Sequence, residues 1–264
     1  MIDDKKKYLE HIDDKEEIIT LRRLLDDIEI VMRDKIVIST NFLNPYQRTL
    51  CYSILNRFID IVYHEEGGYE NAERKVIIIY PDYLRYTKLD SFISILKIRS
   101  SYDFSKLNHK DILGSLMGLG IKREKIGDII ISEEFAEIII SSELKNYIML
   151  NLERIGNHSV IINEINKEDI IIVKPKYKEI YTTVSSLRLD VLISSIFNLS
   201  RKNSSDIIKS GKVKVDFKPI DNISHNLNGG ELISVRKKGR AKFQNILGES
   251  KKGKYRILIH KYIG

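Results

Sequence analysis

Cysteine is almost absent from this chain of 264 residues, because Cys51 is the only one. A lone thiol cannot form an intramolecular disulfide, and it excludes zinc sites built from several cysteines. A reducing cytosol is therefore the expected compartment. Cys51 shares a helical apolar spacing with Ile54 and Leu55, which predicts a small core residue rather than a nucleophile.

Long apolar runs are also missing. Residues 76–80 form one of the longest, far below the roughly 18 residues that would indicate a membrane span. The N-terminus reads Met-Ile-Asp-Asp-Lys-Lys-Lys and leads into a charged segment, without the apolar centre of a signal peptide. We therefore expect a cytoplasmic protein with no membrane partner.

Catalytic signatures are the third absence. The sequence contains no G-x-G-x-x-G, G-x-x-x-x-G-K-[ST] or G-x-S-x-G motif, and its six histidines form no H-x-x-x-H pair. These patterns are typical of dinucleotide sites, phosphate-binding loops, serine hydrolases and metal sites. The sequence thus predicts no catalytic residue, no metal, no cofactor and no small-molecule substrate.

Basic charge is concentrated towards the C-terminus. Residues 181–264 contain 17 Lys and Arg against 6 Asp and Glu, a balance of +11, whereas residues 1–180 contain 27 against 31, a balance of −4. Such asymmetry indicates a polyanion-binding module attached to a mildly acidic body. A solvated, lysine-rich surface would give the same count.

The first 72 residues have the apolar spacing of helices. The two series are Leu21, Leu24, Leu25, Ile28, Val31 and Met32, and then Cys51, Ile54, Leu55, Phe58, Ile61 and Val62. Asn44 and Pro45 suit the start of the second helix, and Gly67-Gly68 suits its end. The sequence predicts a helical N-terminal region over residues 1–72.

Residues 73–165 combine the apolar spacing of helices with the alternation of strands. Predicted strands cover 75–80, 98–104, 129–132, 135–140 and 159–164, and predicted helices cover 89–96, 109–117 and 142–152. Asn108 is placed to cap the helix at 109–117, and Glu133-Glu134 would turn a hairpin. This mixture is typical of an α+β domain whose sheet is backed by helices. A joining segment, 166–184, follows with strands at 170–173 and 177–184.

The most informative stretch is residues 186–216. Apolar residues recur at helical spacing from Leu189 to Phe197, Ser200 is a good N-cap for a second helix, and Gly211 suits a left-handed helix stop. Val213 and Val215 then alternate with lysines as in a half-buried strand. This layout resembles the S4 RNA-binding domain of the αL type, which we expect over residues 185–264.

An S4 domain implies RNA recognition by charge and shape, and the basic residues stand at its junctions. Arg188 and Arg201 begin the two helices, where free N–H groups would add to the attraction for phosphate. We expect Asp190 to orient Arg188 as an ion-pair partner, and we interpret residues 236–243 as a basic loop. The predicted RNA-binding residues are Arg188, Ser200, Arg201, Lys202, Lys209, Lys212, Lys214, Arg236, Lys238, Arg240 and Lys242.

A wider resemblance covers the remaining regions of the chain. Residues 41–45 (Asn-Phe-Leu-Asn-Pro), Gly67-Gly68-Tyr69 with Ala72-Glu73-Arg74, and residues 121–128 (Ile-Lys-Arg-Glu-Lys-Ile-Gly-Asp) resemble the YlmH family of bacterial S4-domain proteins. The resemblance implies a helical N-terminal part, a central RRM-like α+β domain and a C-terminal S4 domain. It also implies a non-enzymatic protein that binds rRNA or tRNA on the large ribosomal subunit and serves quality control of stalled subunits.

Four points stay open at the level of sequence. Lys122, Arg123 and Lys125 form either a secondary RNA contact or a plain surface loop. Arg188-Leu189-Asp190 resembles the catalytic loop of pseudouridine synthases, but its flanks start a helix, which disfavours a catalytic role. The alternative function is an RNA-modifying enzyme, of the pseudouridine synthase or methyltransferase type, with an unrecognised catalytic domain in residues 73–165. Asp216 stands where many S4 domains have asparagine. An adaptor that recruits a partner through residues 1–72 is a third hypothesis.

Overall fold

A computed structural model of the chain describes residues 4–10, 12, 14–84, 92–100 and 107–263. It divides into two compact units, Met1–Val173 and Lys174–Gly264. Both contain helices and antiparallel sheets, which confirms the predicted α+β class. Within the described ranges, no helix combines the length and the apolar character required to cross a bilayer.

A short 3-10 helix, Lys5–Tyr8, is followed in the first unit by two α-helices that pack together. Helix α1 spans Lys15–Asp34, and Asp14 caps it by accepting two backbone N–H groups. Helix α2 spans Pro45–Leu55 and starts with a reciprocal capping box between Asn44 and Gln47, two exchanges that satisfy otherwise orphaned donors. Cys51 is fully buried in their shared core. Burial raises the pKa of its thiol to about 12, which confirms a core residue without thiolate character.

A three-stranded sheet completes this region. Its strands are β1 (Ile38–Ser39), β2 (Ile61–Glu66) and β3 (Val76–Pro81), in the order β1-β3-β2. The predicted continuation of α2 through Ile61 and Val62 is therefore wrong. Burial along β2 alternates, with Ile61 buried and Val62 exposed, so pairing with β3 imposes a two-residue period on residues that also fit a helix. Gly67-Gly68 follows a strand rather than a helix.

The central sheet has four strands. They are β4 (Ile93–Arg99), β5 (Ile126–Ile131), β6 (Phe135–Ser141) and β9 (Ile161–Ile165), and their order in the sheet is β5-β6-β4-β9. Helix α3 (His109–Gly118) connects β4 to β5. Between β6 and β9 the chain forms helix α4 (Lys145–Asn151) and a short hairpin of β7 (Arg154–Ile155) and β8 (His158–Ser159). The resulting β-α-β-β-α-β order is that of ferredoxin-like and RRM folds. The predicted RRM-like domain, the cap at Asn108 and the hairpin at residues 133–134 are thus confirmed.

The predicted helix at 89–96 is wrong where the structure describes it, because β4 starts at Ile93. Residues 89–91 and 101–104 lie outside the described residues. Strand β4 is buried on both faces: Leu96 and Ile98 contact the helices, whereas Ile93 and Ile95 contact the other side. A strand buried on both faces gives an unbroken apolar run, which periodicity does not distinguish from a helix.

The face of the central sheet that points away from α3 and α4 is covered from within the unit. Ile95 and Ile139 on that face share a buried cluster with Phe42, Val76 and Ile78. Residues 170–173, predicted as a strand, form an irregular segment across it, and the Ile171 N–H donates to Glu137 at 2.9 Å. Since β3 pairs with β1 and β2, residues 76–81 extend the N-terminal sheet rather than the central one.

The second unit is one six-stranded antiparallel sheet with two helices on one face. The order is β10 (Tyr177–Val184), β15 (Tyr255–Tyr262), β14 (Gly239–Glu249), β13 (Leu232–Val235), β11 (Val213–Val215) and β12 (Lys218–Pro219). Helices α5 (Leu189–Phe197) and α6 (Arg201–Lys209) cover the face that carries Val213, Val215 and Ile257. The helix, cap, glycine stop and strand predicted for residues 186–216 are all confirmed, with Gly211 at φ +67°.

Asp27 on α1 makes the first unit sensitive to pH. Burial, assisted by the neighbouring charge of Asp26, raises the pKa of Asp27 to about 6. The folded protein therefore holds this proton to a higher pH than the unfolded chain, and the group destabilises the fold above about pH 6 but not below about pH 4.

We expect Asp27→Asn to raise the free energy of unfolding at pH 7.5 by about 1 kcal/mol, a figure reduced for partial solvent screening. Urea denaturation of both proteins at about pH 4 and about pH 7.5 checks this, because the gain should vanish at the lower pH. An equal gain at both pH values would contradict the titration of Asp27.

Candidate nucleic-acid interface

Asp190 joins the two helices of the second unit at their N-terminal ends. Its buried carboxylate accepts hydrogen bonds from Arg188 at 3.0 and 3.3 Å and from Arg201 at 3.3 Å. The side chains of Arg188 and Arg201 are 40% and 56% exposed, so both guanidinium groups keep donors for a ligand. The predicted pairing of Asp190 with Arg188 is confirmed, and the pairing with Arg201 was not foreseen.

The N-terminus of α5 is not an open anion site. The Leu189 N–H donates to the His225 carbonyl at 2.8 Å, and the Asp190 N–H donates to the Ile223 carbonyl at 3.4 Å. The expectation that free N–H groups at this helix start would attract phosphate is therefore wrong. The cause is tertiary, since the loop before β13 folds back over the helix end and uses these donors.

Helix α6 presents an exposed basic ridge. Its N-cap, Ser200, accepts the Asn203 N–H at 3.1 Å, so this hydroxyl serves the cap that the sequence predicted. Arg201, Lys202 and Lys209 are exposed while Ile208 is fully buried. Lys202 and Lys209 are seven residues apart, two helical turns, and therefore lie on one stripe of the helix.

A second basic group lies at the end of the sheet that follows α6. The Arg236 N–H donates to the Lys212 carbonyl at 2.9 Å, and the Lys238 N–H donates to the Val235 carbonyl at 2.9 Å. These backbone bonds hold Lys212, Arg236 and Lys238 close together, and all three are exposed. Together with Lys209 they extend the positive charge from α6 to the β13–β14 turn.

Lys214, Arg240 and Lys242 occupy a different surface from the helix-start arginines. The predicted basic loop at 236–243 is wrong beyond residue 238, because β14 begins at Gly239. Ala241 and Phe243 are fully buried in the core, so the alternation of the strand turns Arg240 and Lys242 to the opposite face. Lys214 points the same way, between buried Val213 and Val215.

Asp216 has a conformational and capping role. It lies at φ 45° in the turn between β11 and β12, and its carboxylate accepts the Leu232 N–H at 2.8 Å. Asn and Asp are the residues that tolerate this left-handed backbone best outside glycine. The carboxylate thus satisfies a backbone donor in the position where an asparagine side chain would do the same.

The three basic residues in 121–128 differ in their environment. Arg123 donates to the carbonyls of Ile126 and Gly127, and burial lowers the pKa of its guanidinium. Lys125 forms an ion pair with Glu143 at 2.6 Å, and Lys122 is exposed. An RNA contact here remains a prediction, and Arg123 is the least available of the three.

Asp128 gathers the segments that carry the family resemblance. Its carboxylate accepts the Tyr69 hydroxyl at 2.7 Å and the backbone N–H groups of Glu73 and Arg74 at 2.7 and 3.0 Å. The Arg74 guanidinium in turn donates to the carbonyls of Phe42 at 2.7 Å and Ile126 at 3.0 Å. We call these residues the Asp128 cluster, and they hold 41–45, 67–74 and 121–128 together.

Gly127 allows this cluster to close. A Cβ atom at this position would lie 2.7 Å from the ring of Phe42, and that ring is buried. The motif at residues 121–128 therefore connects the N-terminal sheet to the central sheet. Its spacing was visible in the sequence, but its structural role was not.

Three regions of the chain match known family models. Residues 16–84 match the model of the YlmH N-terminal region, residues 87–169 match the model of the putative RNA-binding domain in YlmH, and residues 187–233 match the S4 domain. Over 222 residues it is 32% identical to the ribosome-associated protein quality control protein P2 of Bacillus subtilis (strain 168), covering 84% of this chain and 86% of the relative.

A solved structure is also similar. The cell division protein ylmH from Streptococcus pneumoniae aligns with 60% of this chain and 97% of its own length, with a TM-score of 0.52 and 27% identity. This likeness, with the matches to the three family models, agrees with the resemblance that the sequence motifs indicated.

Proposed function

Because this chain belongs to the YlmH family of bacterial S4-domain proteins, we propose that it docks structured rRNA or tRNA through its C-terminal unit. The observation that carries this proposal is the pair of exposed arginines held by the buried carboxylate of Asp190. Arginine fits phosphate through two parallel hydrogen bonds. The basic ridge on α6 and the group at Lys212 and Arg236 extend the same charge.

The biological setting is supported by the relative, which is named ribosome-associated protein quality control protein P2. We infer that this chain also works on the ribosome in the cytoplasm, on large subunits stalled during translation. Sedimentation of cell extracts tests this inference: the protein should travel with large subunits and increase there when stalling is induced. Recovery only in the ribosome-free fractions would contradict it.

The proposed role is non-enzymatic. A catalytic aspartate has to reach its substrate, but the Asp190 carboxylate is buried and bonded to two guanidinium groups. In the described part of the central domain, no open sheet face is available for stacking RNA bases. The face that RRM domains use for bases is packed here against residues of β3. Mass analysis of rRNA and tRNA from a deletion strain checks the enzymatic alternative, which a missing modification would support.

We expect Arg201→Ala to weaken binding of bulk tRNA and of large-subunit rRNA about tenfold, which corresponds to ~1.4 kcal/mol. It should also reduce the slope of log affinity against log salt by roughly one, because one phosphate contact is lost. Filter binding over a salt series measures both values. Arg22→Ala is the matched control, since Arg22 is exposed on α1 in the first unit. An unchanged affinity and slope would remove Arg201 from the interface.

A further inference from the structure

The six-stranded sheet has a second face that the helices do not cover. Core residues alternate along its strands, so Ile257 and Ile259 point to the helices while their neighbours point away. The outward residues include Tyr177, Tyr181, Arg240, Lys242, Arg256 and His260. We call this surface the open face.

Aromatic rings form one half of the open face. Tyr181 is 66% exposed and Tyr177 is 46% exposed. The Tyr177 ring stacks on His260, with centroids 4.0 Å apart and an interplanar angle of 10°. The two tyrosines are four residues apart on β10, which corresponds to roughly 13 Å along the strand. Each ring is therefore positioned to take a separate planar group.

Basic side chains form the other half. The strand register places Lys214, Ser234 and Arg240 in one row across β11, β13 and β14. The neighbouring row runs from Lys242 through His260 to Glu179. The Glu179 carboxylate already has two partners, because it lies 3.4 Å from His260 and accepts a hydrogen bond from the Tyr181 hydroxyl at 2.9 Å. The open face thus combines exposed rings with excess positive charge.

We propose that the open face binds a run of unpaired RNA nucleotides. Bases stack on Tyr181 and Tyr177, and the phosphates of the same strand meet Arg240, Lys242 and Arg256. Base-aromatic stacking and a positive groove are the two elements of single-strand recognition. This second site lies apart from the helix-start arginines and rests on the proposed function only in that both would hold RNA.

The distribution of apolar residues on the open face favours RNA over a protein partner. The apolar Leu258 is flanked by Arg256 and His260 along β15, so the face lacks the continuous apolar centre typical of protein interfaces. Strands β10, β14 and β15, which carry the rings and most of the basic residues of the open face, lie outside residues 187–233, the part that matches the S4 domain. Lys214 on β11 lies inside that part.

Tryptophan fluorescence provides a direct test, because the sequence contains no tryptophan. In the full-length protein, Tyr181→Trp introduces a single reporter on the open face. Tyr83→Trp is the matched control, since Tyr83 is 65% exposed in the first unit. A single-stranded oligouridylate of about a dozen nucleotides should quench the open-face reporter saturably through stacking and leave the control reporter unchanged. No quenching, or equal quenching of both reporters, would overturn the proposal.

Affinities separate the two RNA sites. Tyr181→Ala should weaken binding of the oligouridylate about tenfold, as expected for one lost stack, while binding of a blunt-ended RNA duplex stays unchanged. Tyr181→Phe should retain the affinity. Arg201→Ala should instead weaken binding of the paired RNA and leave binding of the oligouridylate unchanged. If Arg201→Ala has no effect but Tyr181→Ala does, the helix-start site is wrong and the open face stands. If Tyr181→Ala leaves oligouridylate binding intact, the open face is wrong.

Discussion

Lys97→Met should lower the free energy of unfolding of the first unit by about 3–5 kcal/mol. Lys97 forms an ion pair of 2.9 Å with Glu137, whose side chain is fully buried, and its ammonium group lies 3.7 Å from the centre of the Phe135 ring. Removing the ammonium leaves a buried carboxylate whose remaining hydrogen bond comes from the Ile171 N–H. Hydrogen exchange of the β4 and β6 amides measures the loss in the full-length protein.

The double variant Lys97→Met/Glu137→Leu is the control for this prediction. With both charges gone, no uncompensated charge stays buried, so most of the lost stability should return. The strands that carry the two residues pair directly, Lys97 opposite Glu137. If the single and double variants were equally unstable, packing rather than the unpaired charge would explain the loss.

Asp128→Ala should destabilise the same unit by about 3 kcal/mol, because three donors lose a charged acceptor at once. Tyr69 and the N–H groups of Glu73 and Arg74 all bond to this carboxylate at 2.7–3.0 Å. Hydrogen exchange should show faster opening of both β3 and β5, since the cluster connects the two sheets.

Asp128→Asn should lose less stability than Asp128→Ala, because the amide keeps one acceptor oxygen. RNA binding by either folded variant should equal that of the unsubstituted protein when measured well below its unfolding temperature. A selective loss of RNA affinity with unchanged exchange would contradict the structural role of Asp128 and make residues 121–128 an RNA contact.

The Asp128 cluster changes how the family motifs are interpreted. A distinctive motif in an RNA-binding protein suggests an RNA contact, and three basic residues in 121–128 favour that interpretation. In the structure, however, Arg123 donates hydrogen bonds to backbone carbonyls, and Lys125 forms an ion pair with Glu143. The motif therefore joins two sheets, and the proposed RNA contacts concentrate in the second unit.

The local sequence pattern alone was sufficient to predict the S4 helices and the strand after them. Their apolar spacing, the cap at Ser200 and the glycine at 211 all act within a few residues, so these elements can be predicted without knowledge of long-range contacts. The same holds for the capped helix α3 and the hairpin at residues 133–134. The basic balance of the C-terminal third is likewise a property of composition.

Tertiary structure decided what local pattern left ambiguous. Strands β2 and β4 carry apolar residues compatible with a helix, and only their pairing with β3 and β6 fixes them as strands. Long-range packing also brought the His225 carbonyl to the N-terminus of α5, where it accepts a backbone N–H, and it covered the free face of the central sheet. It placed Arg201 beside Asp190, eleven residues away, and turned Arg240 and Lys242 to the open face. These outcomes depend on contacts between distant segments, which spacing along one segment does not encode.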